Sequence, residues 1–132
     1  MQELAAVKLE VKKSRFYAHL YAIDSPDDLA GILALHRERY RKAAHHCTAL
    51  RFGAPSGTVE LSRNDGEVGT PGRALLAVLD KHALDRHALV VSRIFGGIKL
   101  GTGGVTRAFR DAGVGAVYPV RNRPLSLRRH RF

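Results

Sequence analysis

The chain has 132 residues, with 22 Lys and Arg against 12 Asp and Glu and a formal net charge of +10. That length suits one domain with a sizeable core and leaves little room for a second module, while 45% hydrophobic and 26% charged residues exclude disorder over most of it. No apolar run approaches the roughly 18 residues of a membrane span and the N-terminus has no hydrophobic signal core. The single cysteine, Cys47, excludes an internal disulfide and a cysteine zinc cluster, so a cytoplasmic protein without a membrane partner is expected.

Val7, Leu9 and Val11 alternate with Lys8, Glu10 and Lys12, and Phe16, Ala18, Leu20 and Ala22 alternate with Arg15, Tyr17, His19 and Tyr21. This period of two predicts two strands joined as a hairpin around Lys13-Ser14. Ser25-Pro26-Asp27-Asp28 then combines a capping hydroxyl, a proline suited to the first helical position and carboxylates at the positive dipole end. The helix it opens should run to about Lys42. Leu29, Ile32, Leu33, His36 and Tyr40 form its inward stripe, and Arg37, Arg39 and Arg41 lie near its negative end.

Residues 46–52 and 57–63 read as short strands around the turn GAPSG. Thr70-Pro71-Gly72 opens a second helix with Leu75, Leu76, Leu79 and Ala83 on its buried face. The unbroken apolar run Ala88-Leu89-Val90-Val91 suits a strand covered on both sides. From Gly96 to Gly104 the chain reads GGIKLGTGG, five of its 13 glycines in nine residues, so the backbone there should take unusual dihedrals. Val105, Ala108, Phe109 and Ala112 follow at helical spacing, with Gly113 as the expected stop. Residues 121–132 form a separate tail holding Arg121, Arg123, Arg128, Arg129 and Arg131 without an acid. Taking these five from 22 leaves a body of 17 basic against 12 acidic groups. Such a tail suits a solvated end, a phosphate-gripping arm or a contact to an acidic partner.

Three clusters carry chemistry. A glycine-rich loop feeding a helix aims backbone N–H groups at an anion and adds the dipole. Gly96, Gly97, Gly101, Gly103 and Gly104, with Lys99, Arg107, Arg93, Arg63 and Arg73, therefore form a candidate anion or nucleic-acid surface. The same glycines also suit a tight strand-to-helix turn. Neither a Walker loop nor a Rossmann fingerprint occurs, which disfavours P-loop nucleotide hydrolysis. The second cluster is the loop RNDGEVGTPGR, in which Asp65 and Glu67 with Arg63 and Arg73 either stabilise a loop or build a polar site. The third is His45-His46-Cys47. On a strand residues 45 and 47 point one way and 46 the other, which speaks against one shared metal ion. No metal, cofactor or catalytic residue is assigned, and Asp65, Glu67, His45 and His46 stand as a polar alternative.

Taken in order, KKSRFYAHLYAI, AHHCTALRFG, NDGEVGTPGRALLAVLD and ALVVSRIFGGIKLGTGGVTRAFRDAG resemble the N-terminal domain of the Impact family, which includes YigZ-type bacterial proteins. The likeness covers about 100 residues, and Arg93, Phe95, Gly96, Gly97, Leu100, Gly101, Gly103 and Gly104 fit the family pattern. Ile94 stands where the family usually has an aromatic, and the GEVGTPG loop is one residue shorter than usual. The resemblance implies a two-layer α/β (α+β) domain with a mixed or antiparallel sheet of four to five strands and two to three helices packed on one face. That arrangement is like the second domain of a small-subunit ribosomal protein and domain IV of elongation factor G. It also implies a link to translation. Eukaryotic relatives bind an activator of an initiation-factor kinase, and nucleic-acid binding is suggested for bacterial ones.

The expectation is a non-catalytic domain that contacts RNA or a ribosome-associated protein through its basic glycine-rich surface. A protein-interaction module with an acidic partner and a small metal-dependent hydrolase built on Asp65, Glu67 and His45 or His46 are the alternatives.

Overall fold

The computed structural model describes residues 1–121. β1 (Gln2–Val11) and β2 (Ser14–Ala22) form the expected hairpin. Its two-residue connection is Lys12-Lys13, at φ of 46° and 68°, the positive values that a type I′ turn demands of both central residues. α1 (Asp28–Arg39) follows, then the hairpin β3 (His45–Ala54) and β4 (Gly57–Arg63), then α2 (Pro71–Lys81), β5 (His87–Ile94) and α3 (Gly101–Arg121). The sheet order is β1-β2-β5-β3-β4 and every pairing is antiparallel, so β5 enters between the two hairpins. This is the α+β class with a five-stranded antiparallel sheet and three helices.

α2 and α3 share one face. Phe16, Ala18 and Leu20 of β2, Cys47 and Ala49 of β3, and Leu89 and Val91 of β5 meet Leu75 and Leu79 of α2 and Val105, Phe109 and Ala112 of α3. Phe16 and Phe109 sit edge to face at 5.0 Å between centroids. The intervening residues Tyr21, Leu50, Ala88 and Val90 face the other way, where Leu29, Ile32 and Leu33 of α1 cover them. β5 is thus buried on both faces, as its unbroken apolar run predicts.

Four boundaries differ from the sequence reading. α1 begins at Asp28, because Ser25 Oγ is used to accept the Asp27 N–H at 3.1 Å and Asp28 Oδ2 accepts the Asp24 N–H at 2.8 Å, closing a turn first. Its end comes at Tyr40, which turns inward to meet His19. Ala83 lies beyond α2 at φ 51° and is exposed, and Leu84 enters the core in its place. α3 does not stop at Gly113 but runs through it to Arg121. A Cβ at Gly113 would stand 2.7 Å from Leu75 Cδ2 and 3.0 Å from Leu89 Cδ2, so this glycine serves close helix packing and not chain termination. Arg121 closes α3, and the rest of the expected Arg-rich tail, residues 122–132, lies outside the described residues.

Candidate functional site

β5 and α3 are joined by Phe95–Leu100, and the glycines of this segment have distinct duties. Gly97 at φ 90° and Gly101 at φ 72° occupy the left-handed region that disfavours other residues. Gly96 lies directly on the β1–β2 turn, its N–H donating to Ser14 Oγ at 3.3 Å. That contact brings Lys12 and Lys13 beside the loop. Gly103 and Gly104 expose the first turn of α3, and the Arg107 guanidinium folds over them, with Nη1 3.2 Å from where a Gly103 Cβ would be. Lys12, Gly104 and Arg107 line one shallow depression. The first N–H groups of α3 have no carbonyl partner within the helix, so they add partial positive charge where Lys99 and Arg107 add full charges.

Beside this helix start opens a pocket of about 390 Å³ lined by Glu67, Val68, Arg93, Phe95, Lys99 and Thr102, among others. Arg93 is 7% and Glu67 9% exposed, and Arg93 Nη1 donates to Glu67 Oε2 at 3.1 Å. The guanidinium also donates through Nη2 to Ser14 Oγ at 3.3 Å and lies between the rings of Phe16 and Phe95, 5.6 and 5.5 Å from their centroids. Its buried Nε has no hydrogen-bond partner among the described residues. Phe95 is 51% exposed and forms an open aromatic wall, with Val68 and Ile98 also exposed nearby in the two loops.

The acidic loop is clamped to α3. Thr70 N–H donates to Thr106 Oγ1 at 3.1 Å, and Gly69 approaches the Thr102 carbonyl so closely that a Cβ would meet it at 2.8 Å. Asn64 Oδ1 accepts the Gly72 N–H at 2.9 Å, pinning the start of α2. Asp65 Oδ2 accepts the His46 N–H at 2.8 Å, and His45 Nδ1 contacts the Asp65 carbonyl oxygen at 2.8 Å. His45 Nε2 stands 3.9 Å from Glu67 Oε2. His46 points to the opposite face of the sheet, so the four residues of the polar alternative do not converge on one point. Among the described residues no three His, Cys, Asp or Glu side chains are placed to hold a metal ion. Cys47 is fully buried in the core and burial pushes its thiol well above the usual range, so it carries no thiolate at neutral pH. Arg63 and Arg73 are exposed on either side of the junction between β4 and α2 and stand outside the pocket lining.

Under α1 lies a polar network that strand alternation alone does not reveal. Tyr21 Oη lies 2.9 Å from His36 Nε2, and His36 Nδ1 and His46 Nδ1 each lie 2.7 Å from Ser92 Oγ. His19 bridges Glu3 Oε1 and Tyr40 Oη at 2.5 Å each, and its ring meets that of His36 edge-on at 4.6 Å. Ser92 has one proton to give, so at least one of the two histidines must donate to it, and the other can accept. That alternation is satisfied with every imidazole neutral.

The sequence model of the Impact N-terminal domain matches residues 12–117, from the first hairpin turn into the last turns of α3. This chain belongs to the Impact family. It is 38% identical over 102 residues to an IMPACT family member of Haemophilus influenzae, covering 76% of this chain and 50% of that protein. The same values hold for YigZ of Escherichia coli. The chain therefore spans about half the length of the curated relatives it matches. A crystal structure described as that of a hypothetical protein superposes with a TM-score of 0.81 at 34% identity, covering 86% of this chain and 56% of the other. The structure of the two-domain translational regulator Yih1 shares the fold, with a TM-score of 0.57 at 23% identity over 89% of this chain and 46% of that one. In this Impact domain the matched span holds the glycine loop, the acidic loop and the Arg93–Glu67 pair together.

Proposed function

We propose that this Impact domain is a non-catalytic, translation-linked module that holds RNA phosphates on the surface around the start of α3. The observation that carries this reading is a convergence. The open first turn of α3, Lys99, Arg107 and the turn lysines Lys12 and Lys13 are gathered at one end of the sheet by the seating of Gly96 on the hairpin. The description of Yih1 as a translational regulator and the family membership support the link to translation. Phosphate binding by these groups needs no base recognition and makes affinity fall steeply with salt.

Titration of structured RNA or ribosomes at low and moderate salt tests it. The double variant Lys99→Ala/Arg107→Ala is expected to weaken binding about tenfold or more and to flatten the plot of log K against log salt by about 1 to 2, since each lost phosphate contact removes about 0.7 to 0.9. RNA bound no better than a neutral polymer would sink the reading. A protein partner is the second reading, favoured by exposed Val68, Phe95 and Ile98. It predicts a complex that survives nuclease treatment and is lost in Phe95→Ala.

A further inference from the structure

We propose that the pocket beside α3 is a guanine nucleotide site, taking the base of an unpaired guanosine while the start of α3 holds its phosphate. This rests on the reading of the α3 surface as a phosphate site and adds what that surface recognises. Three features of the pocket lead to the base. Its volume of about 390 Å³ falls within the range of small-ligand sites. Its wall is Phe95, an exposed ring of the kind on which single-stranded bases stack, a contact that charged phosphate binding does not use. Its floor is the Glu67–Arg93 pair, two charged side chains nine-tenths buried yet lining an otherwise mostly apolar slot.

The floor selects among bases. The Glu67 carboxylate only accepts, and each of its oxygens already takes one bond: Oε1 from the Val68 N–H at 3.0 Å and Oε2 from Arg93 Nη1 at 3.1 Å. One acceptor direction remains on each oxygen. The guanine edge offers two adjacent donors, the N2 amino group and N1–H, followed by the O6 acceptor. It thus matches a carboxylate with an arginine beside it. Adenine and cytosine each present one donor next to an acceptor lone pair, and uracil flanks its N–H with two carbonyl oxygens, so each would set a lone pair against Glu67. A phosphate attached to the same nucleoside has Lys99 and the N–H groups of Gly101 and Thr102 on the same rim. A site built to accept from two donors rejects analogues lacking them, because its polar floor is otherwise left unpaired.

Titration of the full chain with guanosine and adenosine 5′-monophosphates, read by backbone amide shifts, tests the pocket without RNA. The expected result is shifts at Phe95 and from Lys99 to Val105, with the guanine nucleotide bound at least tenfold more tightly. Phe95→Ala, at an exposed position, should lose tenfold or more of that affinity with its circular dichroism unchanged. Glu67→Gln should bind both nucleotides alike. Equal binding of the two, no binding, or shifts centred on the depression lined by Glu3, His19 and Leu35 would overturn the proposal. An RNA arm separates the sources: replacing one unpaired guanosine by adenosine should weaken RNA binding tenfold if the site reads RNA, and leave it unchanged if the site takes only the free nucleotide. RNA binding with no discrimination in either arm overturns the guanine site while the phosphate reading stands. Nucleotide discrimination without RNA binding overturns RNA as the source and leaves the guanine site.

Discussion

Acidification from pH 7 to 5 is expected to cost this domain at least about 2 kcal/mol of stability, with His36 the principal cause. Burial, reinforced by the nearby His19, His46 and Arg39, pushes its imidazole down to about 3. The unfolded chain carries a histidine near its ordinary value of about 6.5. Above that value both states hold the neutral ring and the network under α1 is at full strength. Below it the unfolded chain binds a proton that the folded one refuses. Stability therefore falls by about 1.4 kcal/mol per pH unit for this group alone, until the pH nears the folded value. His19, His46 and His87 are also lowered by burial and act in the same direction. Urea midpoints taken at half-unit intervals should decline below about pH 6.5, and the slope should be shallower in His36→Gln. A flat profile between pH 7 and 5 would show that the buried imidazoles accept protons in the folded state.

Gly96→Ala should destabilise the domain by about 3 kcal/mol, the upper range for forcing extra volume into a packed site. A Cβ there would stand 2.1 Å from the Lys13 carbonyl carbon and oxygen and 2.6 Å from the Ser14 nitrogen. These are backbone atoms of a hairpin turn whose residues already hold positive φ, so the turn cannot yield without shifting the β1–β2 register. The displaced Ser14 would also withdraw the hydroxyl that receives Arg93 Nη2. Gly31→Ala supplies the contrast. It lies within α1 with nothing within 4 Å of a new Cβ, and should stabilise by up to about 1 kcal/mol. Equal urea midpoints for wild type and Gly96→Ala would refute the close approach.

The candidate site was legible in part. The glycine run, Lys99 and Arg107 stand within twelve residues of each other, and a loop feeding a helix is a local pattern. Arg93 also stands among the sequence candidates, but its partner Glu67 is 26 residues away and its aromatic neighbour Phe16 is three strands earlier in the chain, so the buried pair has no local signature. The lysines of the hairpin turn join the surface only because Gly96 packs on them. Phe95 reads as one more apolar residue until its exposure is known. The alternation in β2 places His19 and Tyr21 on the side away from Phe16, Ala18 and Leu20, and they become a buried network only when α1 covers them.

What the sequence by itself determined is what depends on neighbours along the chain: two strands of period two, the helical stripe of Leu29 to Tyr40, the proline start of α2 and the glycine loop before α3. Periodicity and capping act within a few residues, and they are written where they act. The tertiary structure alone decided the insertion of β5 between the hairpins, the passage of α3 through Gly113, the division of helices between the two faces, and the pairing of Arg93 with Glu67. Those features arise from contacts between residues far apart in the chain, where burial and close packing choose among conformations that local preference leaves equal.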